Sequence, residues 1–393
     1  MINRKTGSLK LCVLRSIAFW SGVFQTFQGS SRKRNMAIFC LLFTVAYFAL
    51  YRSNNWYIIY RFLPEERGFL PKLKQETLPC QDLIKTAKYI LDGEPVPLPY
   101  NNIKTLWKFK PRASKELIKT NLLFGENLNE SAAAILKRRK FYEVSSSEIK
   151  ANTMLITFGH NCCAYSKQRA IKKATTVGGF KYAHSFNLDA MSPKFRETHK
   201  DLLKAKRGAG YWLWKPYILL KTLIENMNTS DIVMYQDAGA YIIRSAGPLL
   251  KLCEQSKDGI IVFSLTTIEH EYTKQDAFIL MNMSFPEAAD TFQRLASFVV
   301  LRKSCTSIQF AMEWLAYVSD RRIVSDDPNT LGVANPESFK DNRHDQSVMS
   351  LLSKKWGLPA YRDPSQYGES VPKSSYYSSG PYNQIFQHDR FKH

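Results

Sequence analysis

The chain has no HExxH pair, no P-loop, no nucleophile elbow and no CxxC pair. These absences exclude zinc-peptidase, P-loop NTPase, α/β-hydrolase and zinc-ribbon chemistry. Zinc fingers, RNP signatures and basic helices with base-reading side chains are missing too, so nucleic acid is not the expected partner. There are no collagen-like triplets, heptads, low-complexity tracts or internal repeats. Residues 1–60 contain no acid at all, against eight Lys/Arg.

The formal charge of +21 is therefore partly local, and about +13 remains beyond residue 60. A surplus of that sign favours anionic ligands such as nucleotides or acidic glycans. At 393 residues the chain can bury one large core or two modest ones. Its long uncharged run is 36–51, MAIFCLLFTVAYFALY, preceded by Arg32, Lys33 and Arg34. As a helix this run spans about 24 Å, enough for a thin early-secretory bilayer. The basic flank predicts a cytosolic N-terminus and a lumenal C-terminal bulk. A cleaved signal peptide is the rival reading, against which stand the long leader and the want of a small-x-small site.

Of the seven cysteines, Cys12 is then cytosolic and Cys40 intramembrane. The other five are lumenal, which allows at most two bridges and leaves one thiol over. Asn129, Asn228 and Asn282 each open a glycosylation triplet, in keeping with that address.

The expected layout is a cytosolic tail over 1–35, a signal-anchor over 36–51, a stem and N-terminal elaboration over 52–150, and a catalytic domain over 151–393. Prolines at 64, 71, 79, 95, 97 and 99 break regular structure in the stem. Helical patterns follow over 115–123 and 131–142. Strands are expected at 154–158, 180–186, 232–235 and 260–264. Helices are expected at 166–176, 193–207, from Pro216 onward, near 248–254, and over most of 285–320. Strands alternating with helices predict a largely parallel sheet covered on both faces.

The centre of the chain is the stretch 207–239. Pro216 suits the first position of a helix whose apolar face is Ile218, Leu219, Leu223 and Met227. Ile232, Val233, Met234 and Tyr235 form a buried strand, and Asp237 emerges at its carboxyl end, where open α/β sheets bind ligands. Lys215 at the helix start makes an anion site with the free N–H groups there. Trp212 and Trp214 either stack on a bound ring or anchor the helix in the core.

Four elements carry a resemblance: YWLWKPY at 211–217, YQDAG at 235–239, YTKQDAF at 272–278 and NRHDQSVMSLL at 342–352. In order and spacing they resemble the GT-A nucleotide-sugar glycosyltransferases of the capsular-polysaccharide and Golgi kind. The resemblance implies a GT-A-like, Rossmann-like α/β fold and transfer of a sugar to a glycan or glycoprotein acceptor. It implies a single-pass type II protein of the Golgi or endoplasmic reticulum membrane. It also implies Mn²⁺ or Mg²⁺ on an Asp-x-Asp. Here Asp237 fills the first position and Gly239 the third, so either a metal binds with fewer protein ligands or Lys215 or Arg207 supplies the charge. The implied donor-side residues are Lys215, Trp214, Arg207, His344 and Arg343. Lys274, Asp276 and Gln346 are implied for the acceptor, and Asp345 as general base or hydroxyl binder. His160 and Asn161 end the first strand, where the base sits in this fold. Two rivals remain: a lumenal pseudoenzyme that binds glycans or partners, and a glycoside hydrolase using Asp237 and Asp345 as its carboxylate pair.

Overall fold

Strand β3 (Ile232–Gln236) is buried at every position, as a continuous apolar run with helices on both sides must be. The computed structural model describes residues 80–94, 148–160, 163–283, 288–369 and 382–389. The anchor at 36–51, most of the stem, the helical patterns at 115–142, Asn129 and Asn161 lie outside the described residues. Among the described residues no helix is long and apolar enough to cross a membrane.

The main sheet runs β2 (Tyr182–Phe186), β1 (Thr153–Phe158), β3, β6 (Phe292–Arg302), β5 (Ile260–Ile268), β7 (Ala360–Arg362). All its strands point one way except β6, which is antiparallel to both β3 and β5. Side chains alternate between two apolar faces, as a period of two requires. Ile156, Val233, Tyr235, Val299 and Leu301 pack on one face. Leu155, Ile232, Met234, Phe298 and Val300 pack on the other. The first face is covered by α3 (Trp214–Glu225), α6 (Cys305–Val318) and α7 (Asp345–Lys355); α5 (Gln275–Leu280) shares that core, and α1 (Cys80–Leu91) packs on α3 and α6. The second is covered by α2 (Ala164–Thr176), α4 (Gly247–Gln255) and a small sheet of β4 (Ala240–Ile242) with β8 (Phe386–His388). This mostly parallel sheet with flanking helices is the α/β architecture that the sequence implied.

Three local expectations are corrected. Residues 285–320 are not mostly helical: β6 occupies 292–302, and helix α6 begins only at the Ser304/Ser307 capping box. An apolar run such as FVVLR suits a buried strand or a buried helix equally, and here burial on both faces decided. The stem range holds a helix, α1, whose Leu83, Ala87, Ile90 and Leu91 repeat at helical spacing and are buried in the main core. Tyr217 of α3 ties it down by donating its hydroxyl to the Leu91 carbonyl at 2.9 Å. The basic helix over 193–207 is two short ones, Pro193–Thr198 and Lys200–Leu203, broken at His199.

Candidate active site

Just before α3 the chain passes through a left-handed turn. Residues 208–212 all have positive φ: Gly208 60°, Ala209 49°, Gly210 98°, Tyr211 52° and Trp212 60°. For non-glycine residues this costs roughly 1–2 kcal/mol each, so the packing around the turn has to hold it. Gly208 is obligatory, since a Cβ there would sit 2.2 Å from the Trp212 ring. Trp214 stacks on Phe158 at 3.7 Å and donates its indole N–H to the Gly208 carbonyl at 2.8 Å. The turn delivers Lys215 into the first turn of α3, and Pro216 falls third in the helix rather than first. It is still within the turn whose N–H groups lack intrahelical partners.

Lys215 is 3% exposed and points across the sheet. Its Nζ lies 2.8 Å from Asp345 Oδ2 and 3.6 Å from Asp237 Oδ1, and donates to the Ala296 carbonyl at 3.2 Å. Asp237 follows β3 and retains about a third of its side-chain surface in solvent (32%). Tyr235 donates its hydroxyl to Asp237 Oδ1 at 2.5 Å, and the Asp237 N–H donates to the Ser297 carbonyl at 3.0 Å. Burial works against the charge on Asp237, but Lys215 and the Tyr235 hydrogen bond outweigh it and hold the carboxyl below its usual range. Asp345 is the reverse case. Burial dominates, Lys215 only partly offsets it, Asp237 adds repulsion, and the pKa rises to about 6. Two carboxylates sharing one ammonium thus differ in role: Asp237 is the exposed anion, Asp345 the buried counter-charge.

Strand β6 supplies the floor. Its register against β5 shifts: Ile261 pairs with Val300, but Phe263 pairs with Leu295. Ala296 lies in the gap. Its carbonyl takes Lys215, and its N–H donates to Gln346 Oε1 at 3.3 Å. Irregular ladders of this kind free backbone groups for side chains. The whole cluster sits where the strand order turns from β2–β1 back to β3, the carboxyl-end crevice where ligands bind in such sheets.

Several sequence-derived assignments are revised. Trp214 is a core aromatic, stacked and 5% exposed, with no face for a base. Arg207 is held on the surface by Asp341 at 2.5 Å and Asp326 at 3.4 Å. Lys215 is engaged by two acids, so neither cation is available to meet a phosphate directly. His344 is 1% exposed, stacked with Trp212 at 5.3 Å. Its Nδ1–H donates to the Val324 carbonyl at 2.7 Å, which fixes the tautomer. Burial lowers its pKa. Arg343 lies over the Tyr272 ring at 3.7 Å. Lys274 and Asp276 are buried loop anchors rather than an exposed pair or an acceptor site. Lys274 donates to the Asp327 carbonyl at 2.6 Å, and Asp276 accepts from the Thr330 N–H at 2.6 Å and its hydroxyl at 2.9 Å. Asp345, 2% exposed, cannot touch an acceptor in this conformation. Gln346 is half-buried beside the cluster, and His160 is half-buried at the end of β1.

Sequence reasoning missed His388 and Asp389. The tail strand β8 brings His388 close enough to help lower the Asp237 pKa, and Asp389 donates its N–H to the Gly239 carbonyl at 2.8 Å. Only long-range pairing reveals this. At Gly239 an added Cβ would meet only the Asp389 carbonyl oxygen, at 3.8 Å, so steric crowding does not demand glycine there. Among the described residues no group of three His, Cys, Asp or Glu is arranged to hold an ion.

No protein-family model and no curated protein matches the chain. Among solved structures it is similar to the WbbM bifunctional glycosyltransferase, with TM-score 0.38 and 11% identity over 62% of this chain and 46% of that one. The chain thus spans less than half the length of that protein. It is also similar to the galactosyltransferase LgtC bound to donor and acceptor sugar analogs, with TM-score 0.32 and 11% identity over 61% of this chain and 87% of that one. For mouse xyloside xylosyltransferase 1 the TM-score is 0.33, with 9% identity over 61% of this chain and 97% of that one. All three are glycosyltransferases by name.

Proposed function

We propose that the protein transfers a sugar from a nucleoside-diphosphate sugar to a glycan or glycoprotein acceptor. The observation that carries this reading is Asp237: an acid held ionised, one-third exposed, at the carboxyl end of β3 and backed by a buried ammonium. Three of the four sequence elements that resemble GT-A transferases, 211–217, 235–239 and 342–352, meet there through Lys215, Asp237 and Asp345. Lys215 fixes Asp237 in place, Asp345 fixes Lys215, and Gln346 turns a carboxamide toward the bound sugar. One exposed hard-oxygen ligand suits a divalent cation that arrives chelated by the donor diphosphate rather than a resident ion. Asp237 would hold it, with His388 nearby. Such a cation supplies neutralisation of the charge that grows on the leaving diphosphate.

A secretory address accords with this. Cys163 and Cys305 each take part in a disulfide, as an oxidising compartment permits. Cys253 is free and buried. Asn228 and Asn282 are exposed, so both can accept a glycan. We place the domain on the lumenal side of a Golgi or endoplasmic reticulum membrane, behind a type II anchor. The hydrolase reading loses support, because Asp345 is buried and both acids are engaged by Lys215, so they do not flank an open sugar cleft. A binding-only pseudoenzyme keeps one observation in its favour: Gly239 in place of a second carboxylate.

A thermal-shift screen of sugar nucleotides, with and without Mn²⁺, tests the proposal. Transfer predicts that one sugar nucleotide with Mn²⁺ raises the melting temperature more than either alone, followed by release of the nucleoside diphosphate. Stabilisation without any turnover leaves the pseudoenzyme. No response to any nucleotide removes the donor site altogether.

A further inference from the structure

Helix α7 packs on β6, and Gln346, Ser350 and Lys354 form a polar stripe at i, i+4 and i+8 along it. The stripe runs to Glu269, which is fully buried. Lys354 and Ser350 both donate to Glu269 Oε2. Thr273 donates to Oε1 at 2.5 Å, and so does Gln293 Nε2 at 3.2 Å. Gln293 Nε2 also faces the Tyr272 carbonyl at 3.2 Å. Gln293 Oε1 in turn accepts from Gln346 Nε2 at 2.9 Å.

A carboxylate only accepts hydrogen bonds, whereas a carboxamide can present either end. The charge on Glu269 therefore fixes the first link: Gln293 must turn its NH₂ inward. Its oxygen must then face Gln346, so Gln346 must donate. The Ala296 N–H demands the same orientation, because it needs an oxygen opposite it. Every link agrees. Burying such a network costs more than an apolar contact of the same shape would, so stability alone does not explain it.

We propose that Glu269 and Gln293 are positioning residues, which hold the Gln346 carboxamide with its second N–H turned to the cleft beside Asp237. There that N–H meets a hydroxyl or ring oxygen of the bound sugar. Lys354 is the buried counter-charge paired with Glu269. The inference rests on the transferase reading of this site.

The test uses the full-length chain and three changes: Gln346→Met, Gln293→Met, and Glu269→Gln combined with Lys354→Met. The last removes both charges together, so neither is buried alone. The donors are UDP-glucose, UDP-galactose, UDP-xylose, UDP-N-acetylglucosamine and GDP-mannose with Mn²⁺, and release of nucleoside diphosphate is followed. Gln293→Met is expected to reproduce the fall in kcat of Gln346→Met, about tenfold for one lost hydrogen bond. Donor KM stays within about twofold, and the Gln293→Met/Gln346→Met double variant is no worse than either single one. Wild-type kcat in Gln293→Met beside a defective Gln346→Met overturns the relay and leaves the site reading intact. Wild-type kcat in Gln346→Met removes Gln346 from the site, and the inference with it.

A second measurement needs no turnover. The losses in melting temperature from the Glu269/Lys354 change and from Gln346→Met should be non-additive in the parent chain and additive in the Gln293→Met background. Additivity in both backgrounds overturns the relay even if no donor is ever turned over.

Discussion

Replacing Asp345 with asparagine should stabilise the protein, and by an amount that depends on pH. Asp345 is 2% exposed and its pKa stands at about 6, against the usual 3.8, because burial outweighs the pull of Lys215 at 2.8 Å. A rise of about two pH units is about 3 kcal/mol, at ~1.4 kcal/mol per unit. The folded state binds this proton more tightly than the unfolded state does. Above pH 6 the fold therefore carries the whole cost of the ionised group. The cost shrinks as pH falls from 6 toward 3.8 and is gone below that, where both states are protonated. The asparagine of the variant has nothing to ionise. At pH 8 the variant should melt roughly 6–12 °C above the parent, at about 2–4 °C per kcal/mol for a domain of this size, and the gap should close by pH 4.

The parent's own pH profile is the wrong readout. His199 is held near 4 by burial, which makes stability rise with pH between about 4 and 6.5 and opposes the Asp345 trend. The difference between variant and parent cancels that contribution. Differential scanning calorimetry at several pH values, without divalent cations, supplies it. A variant that melts at or below the parent at pH 8, or a difference that does not change with pH, refutes the reasoning and makes Asp345 a net stabilising partner of Lys215.

Asp237→Asn should keep the fold, since Asp345 still neutralises Lys215, while turnover of a sugar nucleotide falls at least a hundredfold, or about 3 kcal/mol; an active variant sinks the site assignment. Gly239→Asp should fold, because a side chain there meets only the Asp389 carbonyl oxygen at 3.8 Å. Mn²⁺ alone should then raise its melting temperature but not the parent's, as a thermal-shift titration will show. Trp214→Phe keeps the stack on Phe158 and loses the bond to the Gly208 carbonyl. It should cost about 1 kcal/mol and leave donor KM unchanged, whereas a tenfold rise in KM would put the indole on the nucleotide.

What could be read in the sequence was local. The stretch 207–239 contains α3, β3, Lys215 and Asp237 within one supersecondary unit, so period and turn chemistry were enough to bring that lysine and that acid together. The burial of Lys215 could not be read, because its closest acid, Asp345, comes from a helix far along the chain. The same holds for Lys274 and Asp276, which look like an exposed pair until the 327–331 loop folds over them. Helix α1 was hidden for another reason: prolines at 79 and 95 bracket it, and they suggested a stem.

The missed strand and the missed floor of the site have one cause. β6 is the reversed strand of an otherwise parallel sheet, and its ladder to β5 slips between Leu295 and Val300. A regular strand would have spent the Ala296 N–H and carbonyl on its neighbour. Because the register slips, those groups take Gln346 and Lys215 instead, while on the other edge of β6 the ladder to β3 runs on regularly and the Asp237 N–H donates to the Ser297 carbonyl. Local propensity contains no term for such a slip. It depends on which strands flank β6, and that is settled only when the sheet assembles. The chemistry thus lies where the regular pattern fails, so the residues hardest to assign from sequence are the ones that hold Asp237, Lys215 and Gln346 in place.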